Sequence, residues 1–117
     1  MNIEEFRNYC LQKKGVTEEF PFSSEILVFK VFGKMFALTG LDRPEFTVNL
    51  KCNPEYSIEL REEYEEVQPG YHMNKKHWNT VSFEGNLSGK MLTDMIDLSY
   101  QLVVDSFSKS KKKELGI

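Results

Sequence analysis

The sequence predicts an α+β domain in which an antiparallel sheet carries its helices on one face. Segments with helical periodicity stand at the beginning, in the middle and near the end of the chain, and short β-rich runs fill the intervals between them. The expected order is therefore α-β-β-β-α-β(β)-α, which folds as a two-layer sandwich. The 117 residues are enough for one domain with a core of its own.

The first helix is expected from about residue 3 to residue 14. Asn2 and Glu5 have the N-cap and N3 spacing of a capping box. Gly15 is placed to end the helix, because glycine readily adopts the left-handed backbone of a C-terminal cap. The apolar residues that recur on one helical face are Ile3, Phe6 and Cys10.

Three strands are expected between residues 26 and 51. A connector over residues 16–25 leads into two apolar β-rich runs, which Gly33-Lys34 separates as a short hairpin signal. The third run, residues 46–51, alternates apolar and polar side chains. That alternation is typical of a strand with one face in the core and the other toward solvent.

The second half of the chain repeats the helix and strand signals. Asn53-Pro54-Glu55 combines an N-cap, a proline at the first helical position and an acid in the first turn, which predicts a helix start. Residues 77–83 are β-rich, and Ser88 caps a last helix with a long apolar stripe. We expect residues 1–108 to form the domain and residues 109–117 to form a charged, frayed tail.

Composition narrows the classes of function. No apolar run is long enough to span a membrane and the N-terminus lacks the pattern of a signal peptide, so the expected location is the cytoplasm of a bacterial-type cell. Cys10 and Cys52 belong to no C-x-x-C pair and are expected as free thiols. The net charge of −3 means that nucleic-acid binding would require a segregated basic face.

The most unusual stretch is GYHMNKKHWN, residues 70–79. Its two histidines, His72 and His77, stand five positions apart without further metal ligands between them, so local hydrogen bonding is the favoured interpretation and neither a metal nor a cofactor is expected. The chain has no G-x-S-x-G nucleophile motif and no phosphate-binding glycine loop. Nothing in the sequence brings Cys52 to a histidine as a catalytic dyad, and an enzyme is not expected.

Nucleic-acid binding is a more specific hypothesis for this stretch than metal binding or catalysis. Cationic and amide side chains can hold phosphates, and exposed aromatic rings can stack on bases. The candidate residues for nucleic-acid or anion binding are Lys51, Tyr71, His72, Asn74, Lys75, Lys76 and Trp78. The alternative is that Asn74 and Lys75 form the tip of a turn while Trp78 anchors a strand in the core.

Several motifs in the same order resemble the MmcQ/YjbR family from about residue 18 to residue 104. They are EFPF (19–22), LVFKV (27–31), GKMFAL (33–38), VNLKC-x-PE (48–55), PGYHMNKKHWNTV (69–81) and SY-x-LVV (99–104). The resemblance implies a compact α+β domain related to the frataxin-like and secretion-chaperone-like folds. It also implies DNA binding through a double-wing sheet, with Lys51, His72, Asn74, Lys75 and Trp78 at the matching positions. The sequence SSE at 23–25 departs from the glycine-containing turn usual in the family.

Two functions therefore compete, with a small-molecule binder or enzyme third. The first is a DNA-binding domain that uses a basic, amide-rich face around residues 71–78. The second is a chaperone-like module that binds a protein or peptide. One version of this hypothesis is that the module acts as a homodimer. Ionic strength separates them, because phosphate contacts weaken steeply with salt and apolar contacts do not.

Overall fold

A computed structural model describes residues 1–70 and 73–117. The helices are α1 (Ile3–Leu11), α2 (Pro54–Glu63), α3 (Gly89–Asp105) and α4 (Lys109–Leu115). The strands are β1 (Val16–Glu19), β2 (Ile26–Val31), β3 (Lys34–Gly40), β4 (Thr47–Lys51), β5 (Val67–Pro69) and β6 (Trp78–Ser82). Within the described residues, the strands form one six-stranded antiparallel sheet in the order β1-β2-β3-β4-β6-β5. The predicted α+β class is confirmed.

The helix starts follow the expected caps. Asn2 accepts a hydrogen bond from the Glu5 amide at 2.8 Å, and the Glu5 carboxylate accepts one from the Asn2 amide at 3.1 Å, which completes the capping box. Asn53 caps α2 through the Tyr56 amide at 2.9 Å. Ser88 caps α3 in the same way. Each cap satisfies amide groups that a helix N-terminus would otherwise leave unpaired.

One face of the sheet lies against the helices and forms the core. Phe6 of α1 is fully buried, and its ring meets the rings of Phe29, Phe46 and Phe83 edge to face, with centroids 5.2, 5.8 and 5.6 Å away. Helix α2 adds Leu60 to the same cluster. The long stripe of α3 contributes Leu92, Met95, Ile96 and Val103, as its periodicity predicts, and Val104 joins them in the core.

The strand register defines the opposite face, which we call the open face. Val28 pairs with Leu38, Leu38 with Asn49, and Asn49 with Thr80, so these residues form one row across the sheet. Their sequence neighbours Leu27, Phe29, Val48, Leu50 and Val81 belong to the core cluster. Because side chains alternate along a strand, this row faces away from the helices.

The structure adds a strand and a helix to the predicted order. The connector expected over residues 16–25 contains the edge strand β1, which pairs with β2 from Val16↔Val31 to Glu19↔Val28. Helix α1 ends at Leu11, earlier than expected, and Gly15 has φ of +77° in the turn that enters β1. The segment 109–117, expected as a frayed tail, contains α4, which has no buried residue.

Both cysteines are free and buried, as expected. Burial raises the pKa of the Cys10 thiol to about 12. Among the described residues, no helix has both the length and the apolar character needed to cross a membrane.

Candidate binding site on the open face of the sheet

In the loop between β5 and β6, the described residues hydrogen-bond to one another and to the first residue of β6. The Gly70 amide donates to the carbonyl of Trp78 at 2.9 Å, and the Met73 amide donates to the carbonyl of Gly70 at 3.2 Å. The amides of His77 and Trp78 both donate to the carbonyl of Asn74, at 3.1 and 2.9 Å. These four amide groups therefore fix the shape of the described part of the loop.

The side chain of Asn74 belongs to the same internal network. Its Oδ1 accepts a hydrogen bond from the amide of Lys76 at 2.9 Å, which makes an Asx turn at the tip of the loop. The side-chain oxygen of Asn74 is thus engaged within the loop, whereas the phosphate contact expected of this residue would use Nδ2 as the donor. This arrangement agrees with the alternative that Asn74 and Lys75 form a turn tip.

Arg61 of α2 holds the loop from the other side. Its Nε donates to Oδ1 of Asn79 at 2.8 Å, and its Nη2 donates to the carbonyls of Lys75 and Trp78 at 2.6 and 3.2 Å. Asn79 is 2% exposed, and its Nδ2 donates to Oγ of Ser57 at 3.2 Å. One guanidinium therefore connects α2, the loop and β6.

Sequence analysis did not single out Arg61 or Asn79. The one sequence feature that could have drawn attention to Arg61 is that it is the only basic residue in REEYEE, residues 61–66. The acidic residues of that run suggest a solvent-exposed helix end. No local pattern in that run indicates a partner 18 residues away.

The predicted binding residues occupy different environments. Trp78 is 8% exposed, a burial that favours the interpretation of a strand anchor over that of a stacking platform. Its cross-strand partner is Lys51, which is half-buried. Lys75 and Lys76 are exposed at the loop tip. Tyr71 and His72 lie outside the described residues. Over residues 1–70 and 73–117, no cluster of three or more potential metal ligands is present.

A cavity of about 380 Å³ lies on the open face beside this loop. Strands β3, β4 and β6 supply Leu38, Asn49 and Thr80 to its lining, and the loop supplies Met73. Oγ1 of Thr80 donates to Oδ1 of Asn49 at 2.6 Å. The unusual stretch of sequence thus contributes to a cavity through its methionine, a residue that sequence analysis did not single out.

Charged groups surround the mouth of this cavity. Arg43, Glu25 and Asp42 all line it, and Arg43 also lines a neighbouring cavity of about 530 Å³. The Arg43 side chain lies across Gly40, where an added Cβ would stand 2.8 Å from Nε. Among the described residues, the guanidinium of Arg43 makes no hydrogen bond or ion pair. An arginine without a carboxylate partner beside a cavity is suited to bind an anionic group.

Three large apolar side chains are exposed at the same end of the sheet. Phe20, Phe22 and Leu41 are 50, 64 and 46% exposed, and we call them the apolar rim. They belong to the β1–β2 and β3–β4 loops, which are joined by a hydrogen bond from the Leu41 amide to the carbonyl of Glu25 at 2.7 Å. Exposed apolar groups gathered in this way are typical of an interaction surface.

A separate basic surface lies at the C-terminal end of the chain. Nζ of Lys14 donates to the carbonyl of Gly116 at 2.6 Å, and Nζ of Lys34 lies 3.3 Å from Oγ of Ser106. Residues 106–117 carry four lysines and one glutamate, whereas the rest of the chain carries 11 basic and 17 acidic residues. The C-terminal basic cluster consists of Lys14, Lys34, Lys109, Lys111, Lys112 and Lys113.

Fold and site together define a small α+β domain whose sheet is covered by helices on one face and carries a cavity on the other. The family model described as YjbR matches residues 11–102. The chain therefore belongs to the YjbR family, which confirms the resemblance read from its motifs.

Known proteins similar to this chain support the same assignment. The Uncharacterized protein YbdF of Escherichia coli is 41% identical over 95 residues, which cover 81% of this chain and 78% of that protein. The Uncharacterized protein YjbR of Escherichia coli is 32% identical over 115 residues, or 98% of each chain. Neither name states a ligand or a reaction.

The crystal structure of a Deinococcus radiodurans protein with a DUF419 domain matches this fold with a TM-score of 0.93 and 38% identity, over 99% of this chain and 88% of that chain. A crystal structure from Pseudomonas syringae matches with a TM-score of 0.74 and 30% identity, over 87% of this chain and 98% of that chain. Both matches confirm the fold class.

Proposed function

We propose that this domain binds an apolar segment of a partner protein at the apolar rim. The observation that carries the proposal is the exposure of Phe20, Phe22 and Leu41 on two adjoining loops at one end of the sheet. Burying a large apolar side chain contributes roughly 1.5–3 kcal/mol, so three such residues can supply much of the affinity of a peptide complex.

The charges around the rim specify the partner further. Glu25, Asp42 and Glu45 are exposed in the same loops, and Arg43 is the one basic side chain among residues 20–25 and 41–46. A segment that carries lysine or arginine beside its apolar residues complements this surface. The proposed ligand is therefore an apolar peptide segment with basic flanks.

Selection from a random peptide library displayed on phage tests the proposal. We expect the purified domain to enrich peptides that combine aromatic or aliphatic residues with lysine or arginine. Replacing Phe20 and Phe22 together with serine should lower the affinity of the selected peptides by at least about tenfold, because two large apolar side chains no longer take part in binding. Ile58→Ser on α2 is the matched control, because Ile58 is 55% exposed but lies outside the rim.

Selected peptides that bind the double serine variant and the unmodified domain equally would contradict the proposal. A domain that enriches no peptide and whose mass by light scattering is that of a monomer would contradict it as well. Self-association that Phe22→Ser abolishes would identify a second copy of the chain as the partner.

DNA binding is the second candidate, and one observation favours it. Lysines are segregated into the C-terminal basic cluster, although the chain as a whole is acidic. Lys51 and the exposed Lys75 and Lys76 form the other basic region, around residues 71–78, where the family resemblance implies contacts. Duplex DNA would contact lysines through its phosphates, with affinity that falls as salt rises.

Fluorescence anisotropy with a labelled duplex separates the two basic regions. Lys111→Glu with Lys113→Glu should weaken binding if the C-terminal basic cluster holds the phosphates. Lys75→Ala with Lys76→Ala should do so if the loop around residues 71–78 holds them. In either case the slope of log affinity against log salt should become shallower by about 0.9 for each phosphate that is no longer neutralised. No anisotropy change with duplex or single-stranded DNA at low salt would exclude this candidate.

A further inference from the structure

We propose that the cavity on the open face binds a small zwitterion, namely an α-amino acid or dipeptide with an apolar side chain. This site shares Glu25, Asp42 and Arg43 with the charged border of the apolar rim, but it uses none of the three rim side chains and does not depend on the proposed peptide binding. Its argument rests on the charges at the mouth of the cavity, on the polar and apolar groups of its lining, and on its volume.

The charges match a ligand that carries both signs. Arg43 offers a guanidinium that makes no hydrogen bond or ion pair with a described residue, and such a group binds a carboxylate in a bidentate manner. Glu25 and Asp42 line the same cavity and provide carboxylates for an ammonium group. The guanidinium and the two carboxylates offer partners of both signs in one cavity, and a ligand with a single charge would use only part of them.

The lining supplies both a hydrogen-bonding and an apolar surface. Oγ1 of Thr80 donates a hydrogen bond to Oδ1 of Asn49. Nδ2 of Asn49 makes no hydrogen bond with a described residue and remains available as a donor. Ile26, Leu38 and Met73 provide the apolar part, and methionine adapts to ligands of different shape. Seven of the eleven lining residues are polar or charged, so hydrogen bonds and charges fix the orientation of the ligand, and the apolar residues contact its side chain.

The volume also fits a small ligand. The cavity measures about 380 Å³, at the lower end of the range of about 300–1,000 Å³ for small-molecule sites. Gly40 contributes by leaving space for the Arg43 side chain, because a Cβ at this position would stand 2.8 Å from Nε. The Arg43 side chain therefore lies across Gly40 at the wall of the cavity.

Titration followed by amide resonances in two-dimensional NMR tests the inference. The probes are L-leucine, leucyl-leucine, L-leucinamide and N-acetyl-L-leucine. We expect L-leucine and leucyl-leucine to give saturable shifts centred on Leu38, Gly40, Asn49 and Thr80. Leucinamide lacks the carboxylate and N-acetyl-leucine lacks the ammonium group, so each should bind at least about tenfold more weakly.

Variants connect the shifts to the proposed residues. Arg43→Gln should weaken leucine binding by about tenfold or more, because glutamine cannot form the charge-assisted hydrogen bonds of a guanidinium. Lys51→Gln is the matched control, since Lys51 lies on the open face but does not line this cavity. Phe22→Ser should leave leucine binding unchanged, which keeps this test separate from that of the apolar rim.

The inference is overturned if neither L-leucine nor leucyl-leucine gives saturable shifts in this region. Equal binding of leucine and leucinamide would also overturn it, because the carboxylate would then contribute nothing. So would unchanged leucine affinity in a folded Arg43→Gln variant.

Discussion

At the scale of single residues, Arg61 is the side chain that fixes the conformation of the most unusual stretch of the sequence, through its hydrogen bonds to Lys75, Trp78 and Asn79. The stretch over residues 70–78 carries the histidines, lysines and amides that suggest a binding site. In its described part, however, Asn74 and several backbone groups hydrogen-bond within the stretch or to Arg61. Trp78 is 8% exposed and pairs with Lys51 across the sheet. The composition of residues 70–79 marks this stretch as unusual. The sequence cannot show that Arg61 of α2 holds the stretch in place, because the residues that Arg61 contacts are 14 to 18 positions away in the chain.

Replacing Arg61 should therefore destabilise the domain. Arg61→Ala removes hydrogen bonds to Asn79 and to the carbonyls of Lys75 and Trp78, and it leaves the buried Asn79 side chain with an unpaired oxygen. We expect the free energy of unfolding to fall by about 2–3 kcal/mol in urea denaturation. Arg61→Lys should recover little, because an ammonium group cannot reproduce the guanidinium fork.

Lys76→Ala is the control for this prediction. It removes an exposed cation from the tip of the same loop and should change stability by less than about 0.5 kcal/mol. Equal losses of stability for Arg61→Ala and Lys76→Ala would mean that Arg61 does not organise the loop.

Asp97, at the junction of α1 and α3, makes the stability of the domain depend on pH. Burial on its own would raise the pKa of this carboxyl, but hydrogen bonds from Lys13 and Tyr9 together outweigh it and lower the pKa below the ordinary value of 3.8. A lowered pKa in the folded state stabilises the fold at pH values above 3.8, and this contribution disappears as pH falls through the folded pKa.

Asp97→Asn should therefore reduce stability at pH 7 and flatten the loss of stability below about pH 4. Urea denaturation at several pH values measures both effects. Asp94→Asn, which removes the exposed partner of Lys90, is the control. A pH profile of Asp97→Asn that runs parallel to the unmodified one would contradict this role.

At the scale of secondary-structure elements, the sequence predicts the helices and strands whose signals come from residues close together in the chain. The helix starts at Asn2, Asn53 and Ser88 follow their caps, because capping is a contact between residues three positions apart. The sequence does not indicate strand β1, since VTEE has no apolar alternation and its place at the sheet edge depends on pairing with β2. The Arg7–Glu18 and Lys30–Glu19 ion pairs also lie beyond the reach of local patterns.

The turn between α1 and β1 requires glycine at position 15. Gly15 has φ of +77°, and an added Cβ would stand 2.4 Å from Cζ of Phe32. Gly15→Ala should lower the free energy of unfolding by about 1–3 kcal/mol, because it combines backbone strain with a steric clash. Thermal or urea denaturation measures this change.

Gly89→Ala provides the matched control for Gly15→Ala. Gly89 begins α3, and a Cβ there meets no atom within 4 Å. This variant should be neutral or more stable by up to about 1 kcal/mol, since alanine favours the helix. If Gly15→Ala were as stable as Gly89→Ala, the turn would not depend on glycine.

At the scale of the whole molecule, the two faces of the sheet have different roles. One face is filled by the helices and by Phe6, Phe29, Phe46 and Phe83. The other carries the cavity and ends at the apolar rim. The sequence predicts this division from its alternating strands. It does not indicate the exposure of Phe20 and Phe22, because whether an aromatic residue in a loop is buried depends on the tertiary structure.

The central claim is that the domain binds a protein segment at the apolar rim. The most direct measurement is to map the amide resonance shifts caused by a library-selected peptide. We predict that the largest shifts fall in residues 19–26 and 38–47, that they persist in high salt, and that they disappear in the Phe20→Ser, Phe22→Ser variant. Shifts confined to α2 or to residues 106–117, or shifts unchanged in that variant, would contradict the claim.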